Sequence, residues 1–239
     1  MIARLLSPLT ASTRFSANEL PESVHGSALW KVITPLVSSE SMTPTLQIGD
    51  ELELEQADIL REACRARRNL LISGGTGSGK TTLANAILAE PAFANDRVFL
   101  IEDTPELQCS AWDVVSVLTR RGPFPIGIVD LVRDALRMRP DRIVVGEMRD
   151  GAAVLETLKS WNTGHPGGLS TIHANSSEDV LRRLEDLATE VTPQPPRGAI
   201  SQSIDRIVHI ARTPDGRRVQ AIQAVEGLDG ETYRLSRLA

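Results

Sequence analysis

Residues 74–81 read Gly-Gly-Thr-Gly-Ser-Gly-Lys-Thr, a fit at every fixed position to G-x-x-x-x-G-K-[ST]. The pattern dictates its own surroundings. Its glycines let backbone N–H groups converge on one anion, where side chains would obstruct. A helix following the loop points its positive end at the same anion. The confirming context is a buried strand before and a helix after, and the sequence supplies both. NLLIS at 69–73 is a short apolar run ending at glycines, and residues 80–90 put Leu83, Ile87 and Leu88 on one helical face. By accident the pattern arises in about one chain in a hundred of this length. The loop therefore points to nucleotide phosphates, bound by Gly74, Gly75, Thr76, Gly77, Ser78, Gly79, Lys80, Thr81 and Thr82. Lys80 reaches the β- and γ-phosphates, and the Thr81 hydroxyl takes a Mg²⁺ position.

Strands and helices alternate through the rest of the chain. Apolar runs at 98–101, 142–146 and 169–173 read as further buried strands, and 113–118 as another candidate. Helical spacing marks 128–138, 151–161 and a segment opened by Ser176-Ser177-Glu178-Asp179. Residues 191–197 (VTPQPPR) exclude a helix. RIVHIA, VQAIQAV and TYRLSRL read as short antiparallel strands, with turns at Pro214-Asp215-Gly216 and Asp229-Gly230. Upstream, Ile59, Leu60, Ala63 and Cys64 share a helical face beginning near Gln56, and 29–55 suggests paired strands that include Leu52 and Leu54. Repeated βα units with a late β-meander imply an α/β fold: a parallel sheet with helices and a small antiparallel addition.

Charged residues follow three of the strands, where an open α/β sheet places its ligands. Glu102, Asp103 and Glu106 follow the second, Glu147 and Arg149 the third, and His173 the fourth. Carboxylates there can hold Mg²⁺, usually through water, or orient an attacking water, and a histidine can sense a γ-phosphate. Each also has a plainer reading. Acidic residues after strands are commonly solvated or cap helices, and His173 alone is more often structural. His165 suits a turn, Trp161 suits the core, and the Arg133, Arg137, Arg139, Arg142 run, broken by Asp134 and Asp141, suits a solvated face.

Composition narrows the classes further. Apolar residues are 41% and charged residues 24% of 239, which excludes a disordered tail, a collagen-like fibre or a coiled-coil rod. A net charge of −5 provides no global basic field for nucleic acid. Cys64 and Cys109 build no zinc ribbon or disulfide framework, which suits a reducing compartment. The apolar runs are too short to span a bilayer, and the N-terminus does not read as a signal peptide.

Taken together, NLLISGGTGSGKTTLANAIL, RVFLIEDTPELQC, LRMRPDRIVVGEMR, WNTGHPGGLSTIHAN and VHIARTPDGRRVQ resemble the secretion ATPase family, the motors of type II and type IV secretion and of type IV pili. The resemblance covers residues 57–239, and the order of the four motifs is highly specific. Residues 74–81 match the phosphate loop, 101–106 the Asp box, 143–147 the Walker B segment and 164–173 the His box. The resemblance implies a RecA-like P-loop core that hydrolyses ATP with Mg²⁺ and assembles as a homo-hexamer. It implies a place in the cytoplasm, peripheral on the inner membrane, among the subunits of a secretion or conjugation channel. It carries over Lys80 as a phosphate ligand, Thr81 as a phosphate and metal ligand and Glu147 as the Walker B acid at the metal. Glu102 or Glu106 positions or activates water, His173 reports on the γ-phosphate, and at least one of Arg137, Arg139 and Arg149 reaches phosphate or a ring neighbour.

The expected division is an atypical segment at 1–55 followed by the ATPase core at 56–239. Family members carry a larger N-terminal domain that contributes arginines, and 1–55 does not look like it. Ser41-Met42-Thr43-Pro44-Thr45-Leu46 with Gly49-Asp50 instead resembles the nucleophile segment of LexA-like and signal-peptidase-like serine proteases. Such a serine needs a lysine base further along the chain, but none lies between Lys31 and Lys80, so the stretch is read as inactive. Two alternatives stand beside the motor: a subunit that binds ATP without hydrolysing it, and a serine protease fragment centred on Ser41.

Overall fold

The computed structural model describes residues 53–239. The readings made for 1–52, including Ser41 and most of the expected paired strands, lie outside the described residues. The described part opens on helix α1, Leu54–Arg65. Leu54 is therefore helical, not the end of a strand. The Glu53 N–H donates to Gln56 Oε1 at 3.1 Å, which satisfies one of the amides left over at a helix start. Gln56 also donates to the Val219 carbonyl at 3.1 Å, so the helix start is tied to the far end of the chain.

Eight strands then form one sheet: β1 (Leu70–Ser73), β2 (Arg97–Glu102), β3 (Asp113–Leu118), β4 (Arg142–Val145), β5 (Leu169–Ile172), β6 (Arg206–Thr213), β7 (Gly216–Asp229) and β8 (Thr232–Arg237). Their order is β3-β2-β4-β5-β1-β6-β7-β8. β3 to β6 in this order run parallel, and β7 and β8 are antiparallel to their neighbours. RIVHIA is antiparallel to β7 as expected, but on its other edge it joins the parallel part of the sheet. β6 pairs parallel with β1, and Ile207, Val208 and Ile210 are fully buried, as a two-sided strand requires. The antiparallel addition therefore continues the main sheet.

Helices cover both faces. The others are α2 (Lys80–Leu88), α3 (Ile128–Ala135), α4 (Gly151–Asn162), α5 (Asp179–Ala188) and α6 (Arg197–Ser203), with a 3-10 turn at Pro91–Phe93. Strand alternation sends Leu70, Ile72, Leu100 and Val144 to the side of α1 and α2, with Leu60, Leu83 and Ile87. Leu71 meets α4, α5 and α6 on the other side, and Phe99, Ile101, Ile143 and Val145 meet α3. Two boundaries differ from expectation. α3 stops at Ala135, not 138, because Pro140 denies helical geometry to the approach. Residues 191–196 are non-helical as expected, but Arg197 opens α6. Its composition hides it, since only Ile200 and Ser203 are buried, and Ser203 Oγ is pinned to the Leu158 carbonyl at 3.0 Å.

Parallel strands present their carboxyl ends on one side of the sheet. The segments after β1, β2, β4 and β5 therefore converge there.

Candidate active site

The convergent segments line a cavity of about 660 Å³. Its loop wall is Thr76, Gly77, Ser78, Gly79, Lys80, Thr81 and Thr82. Gly77 and Gly79 take φ of 70° and 103°, which a side chain would resist, so glycine is required for the loop to turn its amides inward. Gly74 and Gly75 are not among the lining residues, and the Lys80 ammonium donates to both their carbonyls at 2.9 Å. Burial lowers the Lys80 pKa, opposed by the attraction of Glu147.

The opposite wall carries the acids. Glu102 ends β2 and is buried. Its Oε1 accepts the Glu106 N–H at 3.0 Å and the Leu107 N–H at 2.9 Å, which folds the chain back after the strand. Its Oε2 is buried with no protein partner. Burial raises its pKa against those two amide bonds, which lower it. Glu106 is placed by that turn. Its carboxylate accepts the Thr81 hydroxyl at 3.2 Å, and its carbonyl accepts Asn85 Nδ2 at 3.0 Å. Asn85 Oδ1 in turn accepts the Gln108 N–H at 2.9 Å, so α2 holds this segment against the phosphate loop.

Glu147 and Arg149 follow β4. Arg149 Nη2 lies 2.7 Å and Nε 2.8 Å from Glu147 Oε2, and Nη1 reaches Asp103 at 3.4 Å. These bonds to Glu147 push the arginine pKa further up. Asp103 is itself fixed by the Thr119 hydroxyl at 2.7 Å. From β5, Thr171 Oγ1 donates to the Gly146 carbonyl at 2.8 Å, and exposed His173 lines the cavity beyond it.

The structure thus brings Lys80, Thr81, Thr82, Glu102, Glu106, Glu147, Arg149 and His173 to one cavity. It does not bring Arg137 and Arg139 there. Both precede β4, at the amino end of the sheet, and Arg137 is 82% exposed and paired with Asp134. The reason is topological: residues before a parallel strand lie a strand's length away from those after it. The same rule splits residues 164–173. Gly167 and Gly168 sit at the start of β5, where a Cβ on Gly168 would stand 2.1 Å from Trp161 Nε1. His165 turns its Nδ1 to the Ser160 carbonyl at 3.3 Å, and only the end of the segment reaches the cavity.

Sequence reasoning missed several lining residues. Thr104 was within reach of it, since it stands among the acids named after β2, of which Asp103 also lines the cavity. Thr171 is a strand residue with no motif to mark it. Arg217 comes from β7, inside the VHIARTPDGRRVQ segment that carries the resemblance, but no role was read for it there.

Oxygen donors dominate the site, which suits a hard divalent cation. Among the described residues no group of three or more His, Cys, Asp or Glu could hold a metal by itself. The donor set therefore fits Mg²⁺ held by one or two protein oxygens, with phosphates and water supplying the rest. No helix of the described residues is long and apolar enough to cross a membrane.

Comparison with known proteins bears on the family and the fold. Residues 5–233 match the family model described as Type II/IV secretion system protein, so the similarity begins well before residue 57. The chain is 42% identical over 236 residues to the conjugal transfer protein TrbB of Rhizobium radiobacter, covering 93% of this chain and 71% of that protein. Among solved structures, the VirB11 ATPase of the Brucella suis type IV secretion system, in complex with sulphate, superposes with a TM-score of 0.62 at 26% identity. That match covers 74% of this chain and 60% of the other. The pilus retraction motor PilT with bound ADP superposes with a TM-score of 0.54 at 25% identity, covering 84% of this chain and 55% of the other. The similarity spans most of the chain, the fold is theirs, and the chain belongs to the type II/IV secretion system protein family.

Proposed function

We propose that the chain is an ATP-hydrolysing motor subunit of a type IV secretion or conjugative transfer system, driving channel or pilus assembly or substrate transfer. One observation carries this reading: a single cavity joins the phosphate loop to Glu102, Glu106, Glu147 and His173 from three other strand ends. The relatives named for conjugal transfer and type IV secretion support the cellular role.

Each residue then has a task. The loop amides and Lys80 grip the phosphate tail and neutralise its charge. Thr81 and Glu147 would hold Mg²⁺, which when bound draws charge from the phosphates and the leaving group. Glu102 orients the attacking water and takes its proton. Burial favours its neutral form and so makes its carboxylate a stronger base, and Oε2 has no competing protein partner. Glu106 keeps the Thr81 hydroxyl aligned. His173, which lines the same cavity, senses the γ-phosphate in this reading. In this reading the chain acts as a homo-hexamer, peripheral on the cytoplasmic face of the inner membrane and docked on other subunits of the system.

The test is Mg²⁺-dependent phosphate release by wild type, Lys80→Ala and Glu147→Gln. Both variants should lose at least about 100-fold in turnover, the scale of removing a positioned charge at a reacting phosphate. Equal release by all three proteins overturns the reading. Tight ATP binding by wild type with no turnover at any protein concentration leaves a nucleotide-binding subunit that is not a motor.

A further inference from the structure

We infer that His209 is a positioning residue of the nucleotide site, acting through Ser73 to fix the backbone carbonyl that holds the Lys80 ammonium. The inference rests on the nucleotide reading of the cavity. His209 lies 136 residues after Ser73, so only the fold brings the two together.

His209 is a buried polar residue between Val208 and Ile210, which are fully buried core. A buried imidazole costs stability unless it finds a partner. That partner is Ser73, opposite it in the β1–β6 register, with Ser73 Oγ 2.9 Å from His209 Nδ1. Ser73 is itself fully buried, at the end of β1 and immediately before the phosphate loop. Burial lowers the His209 pKa; the Glu178 carboxylate opposes that shift and the Lys80 ammonium adds to it. The ring is therefore neutral at neutral pH, and its Nδ1 can accept the Ser73 hydroxyl. The other acceptor near that hydroxyl, the Val208 carbonyl at 3.5 Å, is too distant to compete.

This bond is made one residue from the site. The next carbonyl along the chain, that of Gly74, accepts the Lys80 ammonium at 2.9 Å, as does that of Gly75. The Ile210 carbonyl abuts Gly74 so closely that a Cβ there would collide with it. β6 thus meets the loop start twice, through the His209 side chain and the Ile210 carbonyl, on either side of a register shift in the β6–β7 ladder. An ammonium held by two backbone carbonyls takes its position from them, and its grip on a phosphate depends on that position. An apolar side chain in place of His209 would fill the same space in the core. It would leave the Ser73 hydroxyl without its acceptor and the Gly74 carbonyl free to shift.

Calorimetry on the full chain with inorganic pyrophosphate, and separately with ADP, tests the assignment at a temperature where melting curves show every variant folded. His209→Leu and Ser73→Ala should each weaken both ligands about tenfold, ~1.4 kcal/mol. The double variant should lose no more than either single one, because both remove the same bond. His209→Asn keeps an acceptor near the place of Nδ1 and should recover most of the loss. A His209→Leu protein that melts lower but binds both ligands like wild type makes the residue a structural brace only and overturns the inference. So do losses that multiply in the double variant, an Asn variant as weak as the Leu variant, or a loss confined to ADP. Binding abolished in Lys80→Ala but untouched in Ser73→Ala overturns only this assignment. Wild type that binds neither ligand overturns the nucleotide reading with it.

Discussion

Glu102 does two things with one carboxylate. Oε1 shapes the turn that sets Glu106 and Leu107, while Oε2 is left to the proposed chemistry. Glu102→Gln keeps an acceptor for both amides and removes the base. It should hold ATP affinity within about threefold and lower turnover about 100-fold, at the low end of what general bases contribute. Nucleotide titration and phosphate release measured together check this; unchanged turnover moves the base to another acid. The pH dependence has a definite sign. The folded pKa of Glu102 is raised by burial, and a base must be ionised to act, so activity falls on acidification from above the usual carboxylate range. Stability runs the other way. The folded state binds the proton more tightly than the unfolded state, so this contribution is full below the unfolded pKa and is lost as pH rises through the folded one. Wild type should therefore gain melting temperature relative to Glu102→Gln as pH is lowered through that window. A difference that is flat with pH would show that Glu102 carries no raised pKa.

Between elements, buried polar braces hold the amino ends of the strands whose other ends carry the site. Arg142 opens β4 at 2% side-chain exposure, yet its charge is matched. It pairs with Asp96, donates to the Cys64 and Ala92 carbonyls at 3.1 Å, and packs on the Phe93 ring at 4.2 Å. Asp96 also pairs with Arg67. Asp96→Ala strands the Arg142 charge and should cost about 3–5 kcal/mol in urea unfolding. A cost under about 1 kcal/mol would show the pair to be solvated like a surface bridge. Asn69 does similar work at the start of β1. Its Oδ1 accepts the Gly167 and Gly168 amides at 2.8 and 2.9 Å, and its Nδ2 donates to the Ser203 carbonyl at 2.8 Å. Asn69→Ala leaves three buried backbone groups unpaired and should cost about 3 kcal/mol or more. Urea midpoints equal to wild type would mean that water replaces the side chain there.

Across the whole molecule, the carboxyl ends of parallel strands gather the chemistry and the amino ends gather the braces. Arg137 and Arg139 stand at the amino end, away from this protomer's cavity. In the proposed hexamer they are available to a neighbouring copy. Sedimentation of the full chain should show a sixfold mass increase with ATP and Mg²⁺, and Lys80→Ala should reduce it. Monomer under all conditions, alongside measurable turnover, would remove the ring from the proposal.

Local patterns alone determined the alternation of strands and helices, the phosphate loop and the acids that end β2 and β4. Those signals are short-range: a glycine pattern of eight residues, apolar runs, and charges adjacent to them in the chain. The tertiary structure decided what depends on strand order. It set RIVHIA parallel beside β1, removed Arg137 and Arg139 from the cavity, split residues 164–173 between a brace and a site, and brought Arg217 to the loop. Hydrogen-bond pairing between strands is non-local, and no spacing along the chain encodes which strand will lie beside which. A parallel strand has two chemically different ends, so a residue's place before or after it decides whether it meets the phosphate loop.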